Sequence, residues 1–328
     1  MITRKNKEEI SAKKLRAIAV VLGGGAGLTL ALQSFLSFAL PTQAQMQTQE
    51  QDGTSSELRA VVPADPFENI SLEARAVFVF DLKKRLTLFA RGENEKLPLA
   101  SITKLMTALI AREQMSESVV VTLSKDDLAA EGDSGLRTGE RWRLGDILNV
   151  MLLVSSNDAA HSVAGFVGAN GYVGGDTDID VARVRFIQMM NEKARVLGLT
   201  QMEFFNESGL DIDQVQAGGY GSAHDVALLF AELWKKYPET IEVTARKDAR
   251  IVSQDEIAHI LPNTNEIIGK FSGLVASKTG YTTLAGGNLA IIFDRGIGDP
   301  VVAVVLGSTY KGRFDDMEKL VEATRKVF

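Results

Sequence analysis

A chain of 328 residues, 45% hydrophobic and 24% charged, is ordinary globular material, long enough for one sizeable core or two modest ones. The net charge of −6 deepens to about −10 beyond residue 44, where 30 basic residues face 40 acidic ones, which argues against nucleic acid as a partner, and the absence of cysteine excludes disulfides and thiol chemistry alike. The histidines are His161, His224 and His259, with no His-Glu-x-x-His or similar cluster, so no metal and no other cofactor is expected.

The N-terminus departs from this average. Residues 1–16 carry Arg4, Lys5, Lys7, Lys13, Lys14 and Arg16 against only Glu8 and Glu9, and residues 17–40 are then free of charge. A basic cytoplasmic leader before an apolar stretch reads as a signal peptide or an N-terminal membrane anchor, with positive charge inside and the rest of the chain outside the cytoplasm. Thr42-Gln43-Ala44 is an acceptable cleavage end, but the apolar run is long enough to cross a bilayer, and the balance falls on retention as an anchor. Residues 41–69, rich in Gln, Thr, Ser and Glu without periodicity, read as a flexible linker ahead of a folded domain at 70–328.

That domain opens on a strand hairpin, Val77-Phe78-Val79-Phe80 and Leu86-Thr87-Leu88-Phe89 about a charged turn. Ser101-Ile102-Thr103-Lys104 follows and opens an apolar helix, with Ile102, Leu105, Met106, Leu109 and Ile110 spaced as its buried stripe. Ser11-Ala12-Lys13-Lys14 and Ser308-Thr309-Tyr310-Lys311 share the Ser-x-x-Lys spacing, but neither opens an apolar helix. Residues three apart share one helix face, so the lysine amine of the first motif lies within reach of the serine hydroxyl: a nucleophile and a base on one turn. Alone, Ser101 would read as a helix cap.

Helical periodicity dominates 144–167, 178–197 and 222–237, and is broken at Ser155-Ser156-Asn157. From that break Ser155 and Asn157 can face a cleft, Ser155 relaying a proton and Asn157 holding substrate backbone and the Lys104 amine; the competing reading is an ordinary helix cap. Apolar, β-branched strands return at 273–277, 287–293 and 301–307, and an amphipathic helix over 314–327 closes the chain. Strands from both ends around a helical middle predict one α+β domain in which the terminal segments share a sheet. Lys278-Thr279-Gly280 ends the first of these strands. Its lysine and glycine point the same way, the glycine leaving room for a substrate along the edge. Thr279 or Thr282 is placed to bond a terminal carboxylate, and the Tyr281 and Ser101 amides to form an oxyanion hole.

The ordered motifs, with Asn206-Glu207-Ser208-Gly209-Leu210, Asn263-Thr264-Asn265 and Tyr310-Lys311-Gly312-Arg313, resemble the D-alanyl-D-alanine carboxypeptidases, the low-molecular-mass penicillin-binding proteins, over roughly residues 70–328. The resemblance implies a β-lactamase/DD-peptidase-like α+β fold, an antiparallel sheet flanked by helices with a helical subdomain inserted mid-chain. It implies a serine peptidase acting on peptidoglycan stem peptides ending in D-Ala-D-Ala, with β-lactams as covalent inhibitors. By it Ser101 is the acyl-forming nucleophile, Lys104 the base, Ser155 and Asn157 the second catalytic element, and Lys278 the substrate-binding strand lysine. Arg313 would clamp the terminal carboxylate, which suits a planar two-pronged donor. Lys104 must be neutral part of the time, so burial and the charge of Lys278 should lower its proton affinity. The alternatives are a DD-endopeptidase cutting cross-links, a class A-like β-lactamase, whose deacylating glutamate has no evident counterpart here, and a non-catalytic penicillin sensor or cell-wall binding module.

Overall fold

The computed structural model describes residues 65–132, 134–171 and 178–327, all of them within the compact unit Val61–Phe328. The basic leader, the apolar stretch and the linker up to residue 64 lie outside the described residues. Among those described, no helix is long and apolar enough to cross a membrane.

In chain order the elements are β1 (Ala76–Asp81), β2 (Leu86–Arg91), β3 (Leu97–Pro98), a 3-10 turn (Ala100–Thr103), α1 (Lys104–Gln114), β4 (Val120–Thr122), β5 (Arg141–Arg143), α2 (Leu144–Leu153), α3 (Asn157–Gly168) and α4 (Ile179–Val196). There follow β6 (Glu203–Phe204), β7 (Gly219–Gly221), α5 (Ala223–Lys236), α6 (Pro238–Ile241), β8 (Asp248–Val252), β9 (Ala258–Pro262), β10 (Leu274–Thr282), β11 (Gly286–Asp294), β12 (Pro300–Ser308) and α7 (Gly312–Thr324). The main sheet has the order β10-β11-β12-β1-β2 and is antiparallel throughout. The two ends of the domain share this sheet, as the sequence predicts, because β1 pairs with β12, Ala76 opposite Leu306 and Asp81 opposite Val301.

Both faces of the sheet are covered, which is why its strands read as continuous apolar runs instead of alternating ones. Val77, Val79, Leu289, Ile291, Val301 and Val305 belong to one core, which Phe314, Met317, Leu320 and Val321 of α7 complete. The residues between them, Ala76, Phe78, Ala290, Ile292, Val302 and Val304, belong to a second and larger core with α5 and the helical middle of the chain. Buried Asp316 on α7 accepts the backbone N–H groups of Glu73 and Ala74 and the Ser308 hydroxyl, at 2.9–3.0 Å, and so pins the entry to β1 against the end of β12.

The fold begins earlier than residue 70. Phe67 is buried in the α7-side core and stacks on Phe89, ring centroids 4.9 Å apart, so the last residues assigned to the linker belong to the domain. The expected boundary falls late because one aromatic in a polar stretch carries no periodicity. Phe67→Ala should lower the unfolding free energy by about 3 kcal/mol, the usual cost of emptying a buried aromatic site; a urea midpoint unchanged from wild type would place Phe67 outside the core.

Candidate active site

β3 delivers the chain into the 3-10 turn, and α1 starts only at Lys104. In a 3-10 turn residues three apart eclipse one another, and Lys104 Nζ accordingly lies 2.9 Å from Ser101 Oγ. Lys104 is completely buried. Its amine has two further acceptors, Asn157 Oδ1 at 2.7 Å and the Ser208 carbonyl at 2.8 Å. Ala100, just before the serine, has φ of +48°, a left-handed conformation that costs a non-glycine residue energy.

Ser155 lies in the break between α2 and α3 and is also left-handed, with φ of +62°. The helix cap here is the middle residue: Ser156 Oγ accepts the Ala159 N–H at 3.0 Å. That leaves Ser155 and Asn157 to the cleft, where Ser155 Oγ accepts from Lys278 Nζ at 2.8 Å and the Asn157 amide donates to the Glu131 carbonyl at 2.6 Å.

Lys278 sits on β10, 1% exposed, and donates also to the Thr279 carbonyl. Thr279 is buried, its hydroxyl 2.6 Å from that of Thr264. Thr282 donates to Asp211 Oδ1 at 2.9 Å, and Tyr281 is exposed, edge-on to Tyr310. Hydrogen bonds thus gather Ser101 and Asn157 around the Lys104 amine and Ser155 around that of Lys278, with the two lysines near enough for the charge of one to act on the other and Thr279 to Thr282 continuing along the strand.

One expectation needs correction. A side chain at Gly280 would lie 2.8 Å from the Leu99 carbonyl and 3.2 Å from the Ser101 nitrogen, so the glycine makes room for the chain's own nucleophile turn and not for a substrate. Arg313, expected as a clamp on the substrate carboxylate, lies beside the same strand. It is 3% exposed, donates from Nη1 to the Gly280 carbonyl at 2.8 Å and lies over the Tyr310 ring, 4.4 Å from its centroid, which sets its charge against the backbone of β10.

Burial dominates the electrostatics. It draws the Lys104 amine down from 10.5 to about 7, opposed by the negative charge of Glu207. Burial also pushes Lys278 well below its ordinary value, helped by the positive charges of Lys104 and Arg313. The positive charges of the two lysines oppose one another, and the carboxylate of Glu207 offsets part of the effect of burial on Lys104. Sequence reasoning gives Glu207 no role of its own. It also misses Asn288, fully buried in β11, whose amide donates to the Pro98 and Leu99 carbonyls at 3.0 Å and whose oxygen accepts the Gly307 N–H. A lone amide inside the apolar run of β11 is the one signal that could have found it.

A hydroxyl held 2.9 Å from a buried amine is the geometry of a serine nucleophile with a lysine base. The sequence profile of D-alanyl-D-alanine carboxypeptidase matches residues 61–309. The chain is 30% identical to D-alanyl-D-alanine carboxypeptidase DacB2 of Mycobacterium tuberculosis over 242 residues, 73% of this chain and 77% of that one. It is 28% identical to DacF of Bacillus subtilis over 256 residues, 76% of this chain but only 61% of that longer relative. Proteins named D-alanyl-D-alanine endopeptidase, in Haemophilus influenzae and Escherichia coli, also match. Penicillin-binding protein D2 of Listeria monocytogenes, solved with ampicillin bound, superposes with a TM-score of 0.65 at 29% identity, over 78% of this chain and 98% of that one. The chain belongs to the D-alanyl-D-alanine carboxypeptidase family of serine peptidases.

A lysine that gives up its proton near pH 7 when folded and near 10.5 when unfolded holds fewer protons in the native state across that interval. The cost of its burial is therefore full below about pH 7 and fades as pH rises toward 10.5, so stability should climb over this window, by at most about 1.4 kcal/mol per pH unit for one proton. Lys104→Met removes this contribution. Its urea unfolding free energy should gain less than that of wild type between pH 7 and 9, and equal gains would mean that Lys104 titrates normally.

Proposed function

We propose that this chain is a serine-type D-Ala-D-Ala carboxypeptidase that removes the terminal D-alanine from peptidoglycan stem peptides. The observation that carries the reading is the 2.9 Å contact between Ser101 Oγ and a fully buried Lys104 amine lowered to about 7. A neutral amine at that distance accepts the hydroxyl proton as Ser101 Oγ bonds to the carbonyl carbon of the penultimate D-alanine. Collapse of the adduct breaks the C–N bond, and the leaving amine takes a proton from Lys104 through Ser155, which bridges towards Lys278. Water then cleaves the ester, Lys104 again taking the proton, to release the shortened peptide and restore the Ser101 hydroxyl. The Ser101 and Tyr281 amides serve as oxyanion donors, and Asn157 holds substrate backbone and the lysine together. Lys278, Thr279 and Thr282 line the carboxylate end, and Arg313, whose guanidinium reaches the Gly280 carbonyl, is the cation that clamps that carboxylate. β-Lactams enter as acylating substrate mimics, in line with the ampicillin-bound Listeria protein.

The same chemistry serves a DD-endopeptidase, in which the leaving amine belongs to a neighbouring stem. A cavity of about 810 Å³ beside Asp211, Tyr281 and Thr282 favours keeping this second reading, since a cross-linked substrate needs that room. Either substrate supports a catalytic domain outside the cytoplasm, exported through residues 17–40 and held to the membrane by them where they are retained.

A fluorescent penicillin should label wild type covalently and leave Ser101→Ala unlabelled, and labelling of the variant would remove Ser101 from the nucleophile's role. Purified wild type should release D-alanine from a pentapeptide. Cross-link cleavage without that release would make the enzyme an endopeptidase, and rapid penicillin hydrolysis without it a β-lactamase.

A further inference from the structure

The site contains a closed ring of contacts, of which the reaction above uses only the one between Lys104 and Asn157. Lys104 Nζ donates to Asn157 Oδ1, at the first residue of α3, and to the Ser208 carbonyl. His161, one helical turn beyond Asn157 and on the same face of α3, meets Glu207 Oε1 through Nδ1 at 2.8 Å. Glu207 precedes Ser208 directly, and its own carbonyl accepts the hydroxyl of Thr107, one turn beyond Lys104 on α1, at 2.6 Å. The turn is further fixed by Asn206 Oδ1, which accepts the Gly209 N–H at 2.7 Å, and by Gly209 itself, with φ of +81°, where a side chain would collide with the Ala100 carbonyl.

We propose that Glu207, clamped by His161, is a positioning residue for Lys104: it fixes the turn that presents the Ser208 carbonyl to the amine and keeps a countercharge beside it. This role rests on Lys104 acting as the base. A solvent-facing turn would fix a carbonyl equally well with any side chain, but this carboxylate is 5% exposed, and a carboxylate is buried at a cost that only nearby positive charge and hydrogen bonds offset. The charged groups around it are His161 on α3, Arg183 on α4, which is itself paired with Asp127 and Asp180, and Lys104 on α1. Burial alone would push the Glu207 carboxyl up, but the His161 hydrogen bond and charge, with Arg183, hold it below its ordinary value, so it stays ionised where the lysine titrates. Its negative charge then favours the protonated amine and opposes the effect of burial on Lys104.

The test is an NMR titration of the full chain labelled with ε-carbon-13 lysine, the Lys104 signal being assigned by its loss in Lys104→Met. Glu207→Gln keeps the shape and removes the charge, so the Lys104 midpoint should fall by about one pH unit, tenfold in proton affinity. The acid limb of penicillin acylation against pH should move the same way. Glu207→Asp, which keeps the charge on a shorter stem, should give a midpoint between the two and also serves if the glutamine variant does not fold. A midpoint equal to that of wild type, in whichever of these variants folds, overturns the inference, because a purely structural role would lower the rate without moving the titration. The titration reads Lys104 whether or not Ser101 reacts. A shifted midpoint in a protein that penicillin never labels would thus keep the positioning role and fail the peptidase reading, whereas normal labelling with unshifted midpoints would do the reverse.

Discussion

The desolvated amine of Lys104 is the constraint around which this site is built. A lysine on the surface at neutral pH is an ammonium ion and accepts nothing; the same side chain, fully enclosed and lowered to about 7, spends part of its time with a free lone pair. Enclosure at that depth is tolerable only with hydrogen-bond partners, and Ser101, Asn157 and the Ser208 carbonyl provide one for each proton of the charged form. Those three partners come from the turn ahead of α1, the start of α3 and the loop after β6. Satisfying one amine therefore fastens together three segments far apart in the chain.

Bringing the segments this close uses conformations that ordinary sequence preferences oppose. Ala100 and Ser155 both adopt left-handed backbone, and both flank or form the reactive group. Such strain persists only where the surroundings over-determine it. At Ala100 the surroundings are the Leu99 carbonyl, tied to Asn288, and the backbone of Gly209 and Gly280, which can approach only because they lack side chains. Gly209 and Gly280 are thus contact surfaces for the nucleophile turn.

The strands of the main sheet, the helices of the middle and the order of the three motifs are legible in the sequence because each rests on local periodicity or spacing. The helix expected from Ser101 is a 3-10 turn running into α1, a difference that tightens the serine–lysine contact but leaves no separate trace in the sequence. The short hairpins β4–β5 and β8–β9 give no such signal, since three- to five-residue strands such as Arg141–Arg143 and Asp248–Val252 are rich in charge and lack an apolar pattern. Glu207 and His161 cannot be placed from pattern alone: what singles them out is contact with each other, 46 positions apart, and Asn288, marked only as a lone amide in an apolar strand, is explained by carbonyls up to 190 positions away. The misjudged surroundings of Gly280 have a similar origin. Strand alternation says on which side a residue lies but not which segment occupies that side.

The distribution of charge explains how two lysines share one cleft. Two ammonium groups this deeply buried repel one another, and a neutral pair would leave nothing to attract a carboxylate. Glu207 lies on the Lys104 side, held by His161, and Arg313 lies on the Lys278 side against β10. The carboxylate favours a proton on Lys104, whereas the guanidinium disfavours one on Lys278. In the proposed reaction this arrangement suits a proton that leaves Ser101, rests on Lys104 and departs by way of Ser155. Arg313, which stays charged at any working pH, supplies the permanent positive field that neither lysine needs to provide. On the proposed function the acid–base work and the anion binding fall to different cations, and the proton on Lys104 can come and go without the substrate's carboxylate losing its counterion.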